Sequence, residues 1–159
     1  MKLFCGIGWA EAHHDVAILD GDGKLVAKKR IADDPAGFAE LIEMLAAAGD
    51  CAQDPIPMAI ETPRGLLVAS LRATGRPVYA INPLSVARYR ERHSVARSKS
   101  DHADAMTLAN ILRVDAHLHR RLPADGIVKL LLICCGATGL GSVVVNGAGV
   151  PRFTPRLWP

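Results

Sequence analysis

Three carboxylates in this sequence have the residue types and surroundings that suit a divalent metal ion. Glu61 ends a short apolar run and is followed by Thr62-Pro63, while Asp101 and Asp104 stand three residues apart further along the chain. Mg²⁺ prefers oxygen ligands, and two-ion chemistry on phosphodiesters needs several acids that converge from different elements onto ions about 4 Å apart. We therefore predict that Glu61, Asp101 and Asp104 are metal ligands of a site that acts on a nucleic-acid backbone.

The pair Asp101 and Asp104 is open to two interpretations. Residues at i and i+3 share one face of a helix, so the two acids can point at one ion. Acids are also common in the first turn of a helix, where the macrodipole favours their ionised form without any function. Glu61 favours the functional interpretation, because an acid at the end of an apolar strand has no packing reason to be there.

A basic stretch leads directly into the aspartate pair. Tyr89 is interleaved with its cations, and Glu91 is the acid that opposes them. The predicted nucleic-acid-binding residues of this stretch are Arg88, Arg90, Arg92, Arg97 and Lys99. Phosphate contacts of this kind are independent of base sequence and sensitive to salt. A run of like charge on a solvated helix face is the alternative interpretation.

Composition divides the chain into two parts. The 159 residues are 50% hydrophobic and 22% charged, which is typical of a globular domain. All acidic residues lie at or before Asp125, whereas residues 126–159 contain six glycines and three prolines. We predict one domain over 1–125, followed over 126–159 by an irregular Gly/Pro-rich tail that is disordered or read out of frame.

The four cysteines show no C-x-x-C spacing, and the N-terminus lacks the basic start and long apolar core of an export signal. We therefore expect reduced thiols, a cytoplasmic location and no membrane partner.

The predicted elements begin with three strands. Apolar runs over 3–8, 15–19 and 24–31 read as strands, and the turn Asp20–Gly23 predicts a hairpin between the second and third. Asp34-Pro35 predicts the start of a helix that Gly49 stops. Further strands are expected at 57–61 and 77–81, and further helices are expected to start at Thr62-Pro63, at Asn82-Pro83 and after Ser100.

The resulting order of elements is an antiparallel meander followed by βαβ crossovers. It predicts an α/β fold of the ribonuclease-H-like (RuvC-like) kind, with a mixed sheet and helices on both faces.

Several motifs together resemble the N-terminal domain of the DEDD transposases, the insertion-sequence one-ten family. They are Gly6–Ala10, Ile60–Gly65, Ala80–Pro83 and Lys99–Ala105. The resemblance runs from about Lys2 to Pro123. It implies a RuvC-like domain in which four acids hold Mg²⁺, with Glu61, Asp101 and Asp104 as the second to fourth acids and Gly8 at the position of the first.

The same resemblance implies DNA as the substrate, a structured guide RNA, and a homo-oligomer or an intact transposase as partner. The coiled-coil segment and the serine-bearing domain of the family are not recognisable after Asp125. The chain is thus interpreted as a truncated transposase fragment whose strand cleavage and transfer are impaired by Gly8.

Two other functions remain open from the sequence. One is a non-catalytic module that binds nucleic acid or an intact transposase. The other is a fragment of a sugar-kinase or actin-like phosphotransferase, whose first strands would look similar to residues 3–31, although residues 9–14 offer no phosphate-binding turn.

Overall fold

The computed structural model describes residues 2–93, 101–124, 143–145 and 151–153, and the side-chain surroundings of 2–92 and 104–124. The strands are β1 (Leu3–Trp9), β2 (His13–Asp20), β3 (Leu25–Ala32), β4 (Met58–Ile60), β5 (Val78–Ala80), β6 (Arg120–Arg121), β7 (Val143–Val145) and β8 (Pro151–Phe153). The helices are α1 (Pro35–Ala47), α2 (Leu66–Ala73), α3 (Pro83–His93) and α4 (Asp101–Asp115), and a 3₁₀ turn (Ala116–Leu118) follows α4.

The main sheet has six strands in the order β3-β2-β1-β4-β5-β6. Strand β1 pairs antiparallel with β2 and parallel with β4, and β4 pairs parallel with β5. This is the predicted mixed sheet, so the α/β fold class is confirmed. The short edge strand β6, which pairs antiparallel with β5, has no alternating pattern and was not predicted.

The hairpin between β2 and β3 forms where the sequence predicts it. The Asp20 carboxylate accepts hydrogen bonds from the backbone N–H groups of Asp22 and Lys24, at 2.9 and 2.8 Å. Gly23 has φ +83°, a conformation that glycine adopts without a steric penalty. Local side-chain and backbone bonds therefore set the register of these two strands.

Helices cover both faces of the main sheet. On one face, α1 and α2 bury an apolar cluster that includes Cys5, Ile7, Val16, Ile18, Leu41, Met58 and Leu71. On the other face, α3 and α4 pack over Phe4, Ala59, Ile81, Val86, Leu108 and Leu112. Successive residues of β1 alternate between these two clusters, which is the period-two pattern of a strand buried on both sides.

Gly6 allows α4 to approach the central strand closely. A Cβ at this position would lie 2.0 Å from the carbonyl oxygen of Ala105 and 2.6 Å from the backbone nitrogen of Ala109. Real side chains do not tolerate such distances, so only glycine fits. The close contact brings the first turns of α4 down onto the end of β1.

The predicted start of α2 at Thr62-Pro63 is wrong. The helix begins at Leu66, and Gly65 before it has φ +111°. A Cβ on Gly65 would come 2.9 Å from the ring of Trp9, so the segment after Glu61 runs as a loop under this indole. The other helix starts are as predicted for α1, where Asp34 caps the backbone N–H of Gly37 at 2.6 Å, and for α3 at Pro83.

In the tail, β7 pairs antiparallel with β8 in a separate two-stranded sheet, a pairing that was not predicted. The other residues of 126–159 lie outside the described part of the chain, so the boundary at 125 stays a prediction.

Candidate metal and nucleic-acid site

The backbone brings Gly8 and Glu61 to the same edge of the sheet. In the parallel pairing of β1 and β4, Gly6 is opposite Ala59. Two residues further along each strand, the same register places Gly8 beside Glu61, on the face that α4 covers. The predicted second acid therefore lies next to the position that the family resemblance assigns to the first.

Helix α4 delivers Asp104 to the same place. Ala105, Leu108 and Leu112 form its buried stripe, and Asp104 lies at the start of that stripe, half-buried. Because α4 runs opposite to β1, its first turn lies over the end of the strand where Gly8 is. Asp101 is the first residue of α4 in the structure, and its side chain lies outside the described residues.

The charged neighbours of Glu61 act on the pKa of its carboxyl group. Burial raises the pKa of the Glu61 carboxyl first, and the neighbouring Asp104 carboxylate raises it further, while the Arg90 guanidinium opposes the shift. Two carboxylates that share a site disfavour each other's ionisation unless a cation lies between them. A cation between Glu61 and Asp104 would therefore reduce the repulsion between their carboxylates.

Arg90 already supplies part of that compensation. On α3 it lies one turn after the buried Val86, so it continues the helix face that packs against α4. Its guanidinium forms an ion pair with the Asp104 carboxylate at 2.5 Å, and about a third of each side chain is exposed. The prediction that Arg90 binds nucleic acid is untested, whereas its contact with an acid of the site is observed.

Of the other four predicted nucleic-acid-binding residues, two are described by the structure and two are not. Arg88 and Arg92 are exposed and lie on a different face of α3 from Arg90, because residues two apart on a helix are separated by about 200°. Arg97 and Lys99 lie outside the described residues.

Sequence reasoning missed Asp15, which lies directly across from Gly8 in the β1–β2 pairing. Its side chain is only 2% exposed, and both of its oxygens accept hydrogen bonds from Arg30 at 3.0 Å. Arg30, on β3, is half-exposed. Gly8 thus lies between two acids, Asp15 on β2 and Glu61 after β4. Counting outward from the turn at residues 10–12, between β1 and β2, pairs residue 8 with Asp15, and an acid inside an apolar run was the signal.

The described residues form only part of a two-ion site. Glu61 and Asp104 supply hard oxygen ligands, but Gly8 has no side chain to contribute and Arg90 holds one oxygen of Asp104. Within the described residues, no group of three or more His, Cys, Asp or Glu side chains could hold a metal ion. The carboxylate oxygens suit a hard cation, but the described residues supply too few of them to hold two metal ions.

The sheet order and the acids at its edge define a RuvC-like α/β protein of the ribonuclease H kind. Two structures of Thermus thermophilus RuvC agree in fold. RuvC in complex with a Holliday junction superposes with a TM-score of 0.55 at 17% identity, covering 77% of this chain and 100% of that one. A second RuvC structure has a TM-score of 0.52 at 17% identity, with 76% and 100% covered.

The chain belongs to the IS110 family of DEDD transposases, whose sequence model, described as transposase, matches residues 5–134. A Streptomyces coelicolor protein that carries the name of the IS117 mini-circle transposase is 62% identical over 125 residues, which are 79% of this chain and 30% of the relative. A Sinorhizobium fredii protein named as transposase y4uE is 36% identical over 130 residues, 81% of this chain and 36% of the relative. The chain thus spans about a third of the length of these relatives.

Two further findings concern the helices and the cysteines. None of the described helices combines the length and the apolar character that a membrane crossing requires. Cys5 and Cys51 are free thiols, and burial raises the pKa of the Cys5 thiol to about 12, so it stays protonated and unreactive.

Proposed function

We propose that this chain is the acid-bearing domain of an IS110-type transposase, whose parent proteins cleave and join DNA strands with Mg²⁺, and that Gly8 impairs this copy. The observation that carries the proposal is the meeting of Glu61 and Asp104 beside Gly8, at one edge of a RuvC-like sheet. Proteins of this class are generally dependent on divalent metal. Asp101, three residues before Asp104, is assigned as the third remaining acid.

The impairment follows from the number and placement of the ligands. An acid at position 8 would stand between β2 and β4, where it could face both Glu61 and the first turn of α4. Without it, fewer oxygens gather around a cation, and Asp104 forms an ion pair with Arg90. Single-ion binding of low affinity is the expected remainder.

The proposed partners are DNA as substrate, a structured guide RNA, and a second copy or an intact transposase. Exposed cations support the nucleic-acid partners, since a backbone of phosphates is held mainly by Lys and Arg. The guide RNA and the oligomer rest on the family resemblance alone.

The test restores the missing acid. Gly8→Asp should bind Mg²⁺ or Mn²⁺ at least tenfold more tightly than the unmodified chain, because one further carboxylate enters the ligand set. Gly8→Asn is the matched control, since it has the same size without the charge. Calorimetric titration measures both. Equal cation affinity in the two variants would refute the placement of the first acid at position 8.

A second test concerns Glu61. In the Gly8→Asp background, Glu61→Gln should remove the gained affinity and any Mg²⁺-dependent cleavage or joining of DNA. Turnover that survives this change would place the chemistry elsewhere.

The non-catalytic module is retained as a second candidate, because Arg90 compensates the acids from within the chain. Salt-dependent RNA binding that needs Arg88 and Arg92, without Mg²⁺-dependent turnover in Gly8→Asp, would favour it. The phosphotransferase alternative is excluded, because the chain belongs to the IS110 transposase family.

We also propose that the domain ends near Asp125 and that the tail is an altered reading frame. The family match runs nine residues past this point, to 134. Sequencing the surrounding DNA tests the proposal: a one-base shift near the codon of Gly126 should restore a helical continuation. A continuation in the present frame would contradict it.

A further inference from the structure

A basic cavity of about 450 Å³ lies on the opposite side of α3 from Arg90. One stripe of α3 lines it with Ser85, Arg88, Tyr89 and Arg92, which recur at i, i+3, i+4 and i+7 and therefore share a helix face. The 3₁₀ turn and β6 complete the wall. With Ala80 of β5 and with Ile111 and Asp115 of α4, the cavity is built from five elements that the tertiary fold brings together.

The charge of this cavity is unbalanced. Three arginines, Arg88, Arg92 and Arg120, line it together with His119, against one acid, Asp115. None of the three arginines forms an ion pair with any residue in the described part of the chain. Elsewhere the arginines that support the fold are paired, as Arg30 is with Asp15.

We propose that this cavity binds one unstacked nucleotide of a single nucleic-acid strand, a role that rests on the proposed function of the domain. The guanidinium groups suit a phosphate, because arginine donates paired hydrogen bonds to phosphate oxygens. Tyr89 packs in part against the apolar cluster that includes Val86 and also lines the cavity, and single-strand sites characteristically combine cations with aromatic rings. The volume is that of an ordinary small-ligand pocket, which starts at roughly 300 Å³.

The position of the cavity makes it a neighbour of the acid site and not part of it. Arg88 and Arg92 project from one side of α3 and Arg90 from another, and a helix with its side chains is about 10 Å across. A strand held in the cavity would therefore be anchored at least about one helix width from Glu61 and Asp104. The assignment is a binding subsite that positions a strand.

The experiment measures binding of a short, fluorescently labelled oligothymidylate to the full chain by anisotropy, in EDTA and at several salt concentrations. Arg88→Ala and Arg92→Ala should each weaken binding about tenfold and lower the salt slope by about 0.7. Lys28→Ala is the control, because it removes one exposed cation from β3 at the far edge of the sheet. It should change affinity less than twofold.

Two more arms test the nucleotide itself. Tyr89→Leu should weaken oligothymidylate binding several-fold while leaving competition by inorganic phosphate unchanged, and Tyr89→Phe should bind normally because the ring remains. A duplex of the same length should bind more weakly than the single strand, since its bases are not free to enter.

Losses in Arg88→Ala and Arg92→Ala no larger than the loss in Lys28→Ala would overturn the proposal. A duplex that binds as tightly as the single strand would overturn it as well. Neither outcome touches the metal titrations of Gly8→Asp, because every arm here is run without divalent ions. Failure of this subsite and failure of the proposed function are therefore distinguishable.

Discussion

Arg90 gives the sharpest test of the proposed site, because it forms an ion pair with Asp104, one of the acids that we propose as metal ligands. We expect Arg90→Ala to lower the free energy of unfolding in EDTA and to recover most of the loss in Mg²⁺. The reason is that Glu61 and Asp104 would then face each other without a cation.

The magnitude follows from the exposure of the pair. Arg90 and Asp104 are 34% and 35% exposed. Exposed pairs contribute about 0.2–1 kcal/mol, whereas breaking a buried pair costs about 3–5 kcal/mol. The Nε of Arg90 is buried without a hydrogen-bond partner in the described residues, which reduces the contribution of the pair. We therefore expect a loss of about 1–2 kcal/mol.

The stability that Mg²⁺ restores can be calculated from its binding to the folded state. A ligand that binds only the folded state stabilises it by RT ln(1 + [L]/Kd), which is about 2.7 kcal/mol at a concentration of 100 Kd. A loss of about 1–2 kcal/mol is offset at about 5–30 Kd, so for a low-affinity site the Mg²⁺ concentration should be raised to tens of millimolar. Urea denaturation of the unmodified chain and of Arg90→Ala, each with EDTA and with Mg²⁺, gives the four values required.

Arg76→Ala is the matched control. It removes the arginine that pairs with the buried Asp50 at 2.6 Å, an ion pair without a second acid. It should lose stability with no recovery in Mg²⁺. Equal gains from Mg²⁺ in Arg90→Ala, Arg76→Ala and the unmodified chain would refute the reasoning.

Three further predictions concern the same edge of the sheet. In EDTA, Glu61→Gln should be more stable than the unmodified chain at neutral pH. The reason is that a carboxyl whose pKa is raised on folding loses its stabilising contribution as the pH rises through that pKa. In urea melts at a series of pH values, the difference in the free energy of unfolding should vanish below about pH 4. Gly6→Ala should cost about 3 kcal/mol in denaturation, because its Cβ would strike the Ala105 backbone; a loss below about 1 kcal/mol would show that α4 can move away. Arg30→Ala should cost about 2–3 kcal/mol, since it removes the guanidinium that binds both oxygens of the buried Asp15; Asp15→Asn in the same background should return part of that stability.

Local signals in the sequence were sufficient for most of the frame. The Asp20–Gly23 turn forms its predicted hairpin, and Asp34 caps α1 as expected. Such features depend on residues within a few positions of each other, so the sequence predicts them directly. The start of α2 was missed because the ring of Trp9, more than fifty residues away, decides the conformation around Gly65.

The acids themselves could be named in advance, because their residue types and spacing indicate a chemistry wherever the chain places them. That these acids would lie at one edge of the sheet could be expected only from the predicted order of the strands. Asp104 acts on the pKa of Glu61, and the assignment of Glu61, Asp101 and Asp104 as metal ligands stays a prediction.

What the sequence determined by itself is the order of elements, the acid types and the glycine at position 8. Only the tertiary structure decided that Arg90 turns to Asp104 while Arg88 and Arg92 turn to a separate cavity, and that Asp15 lies across from Gly8. The physical reason is that helix faces and strand registers are chosen by packing against distant residues. A side chain's neighbours across the sheet are therefore not encoded in its neighbours along the chain.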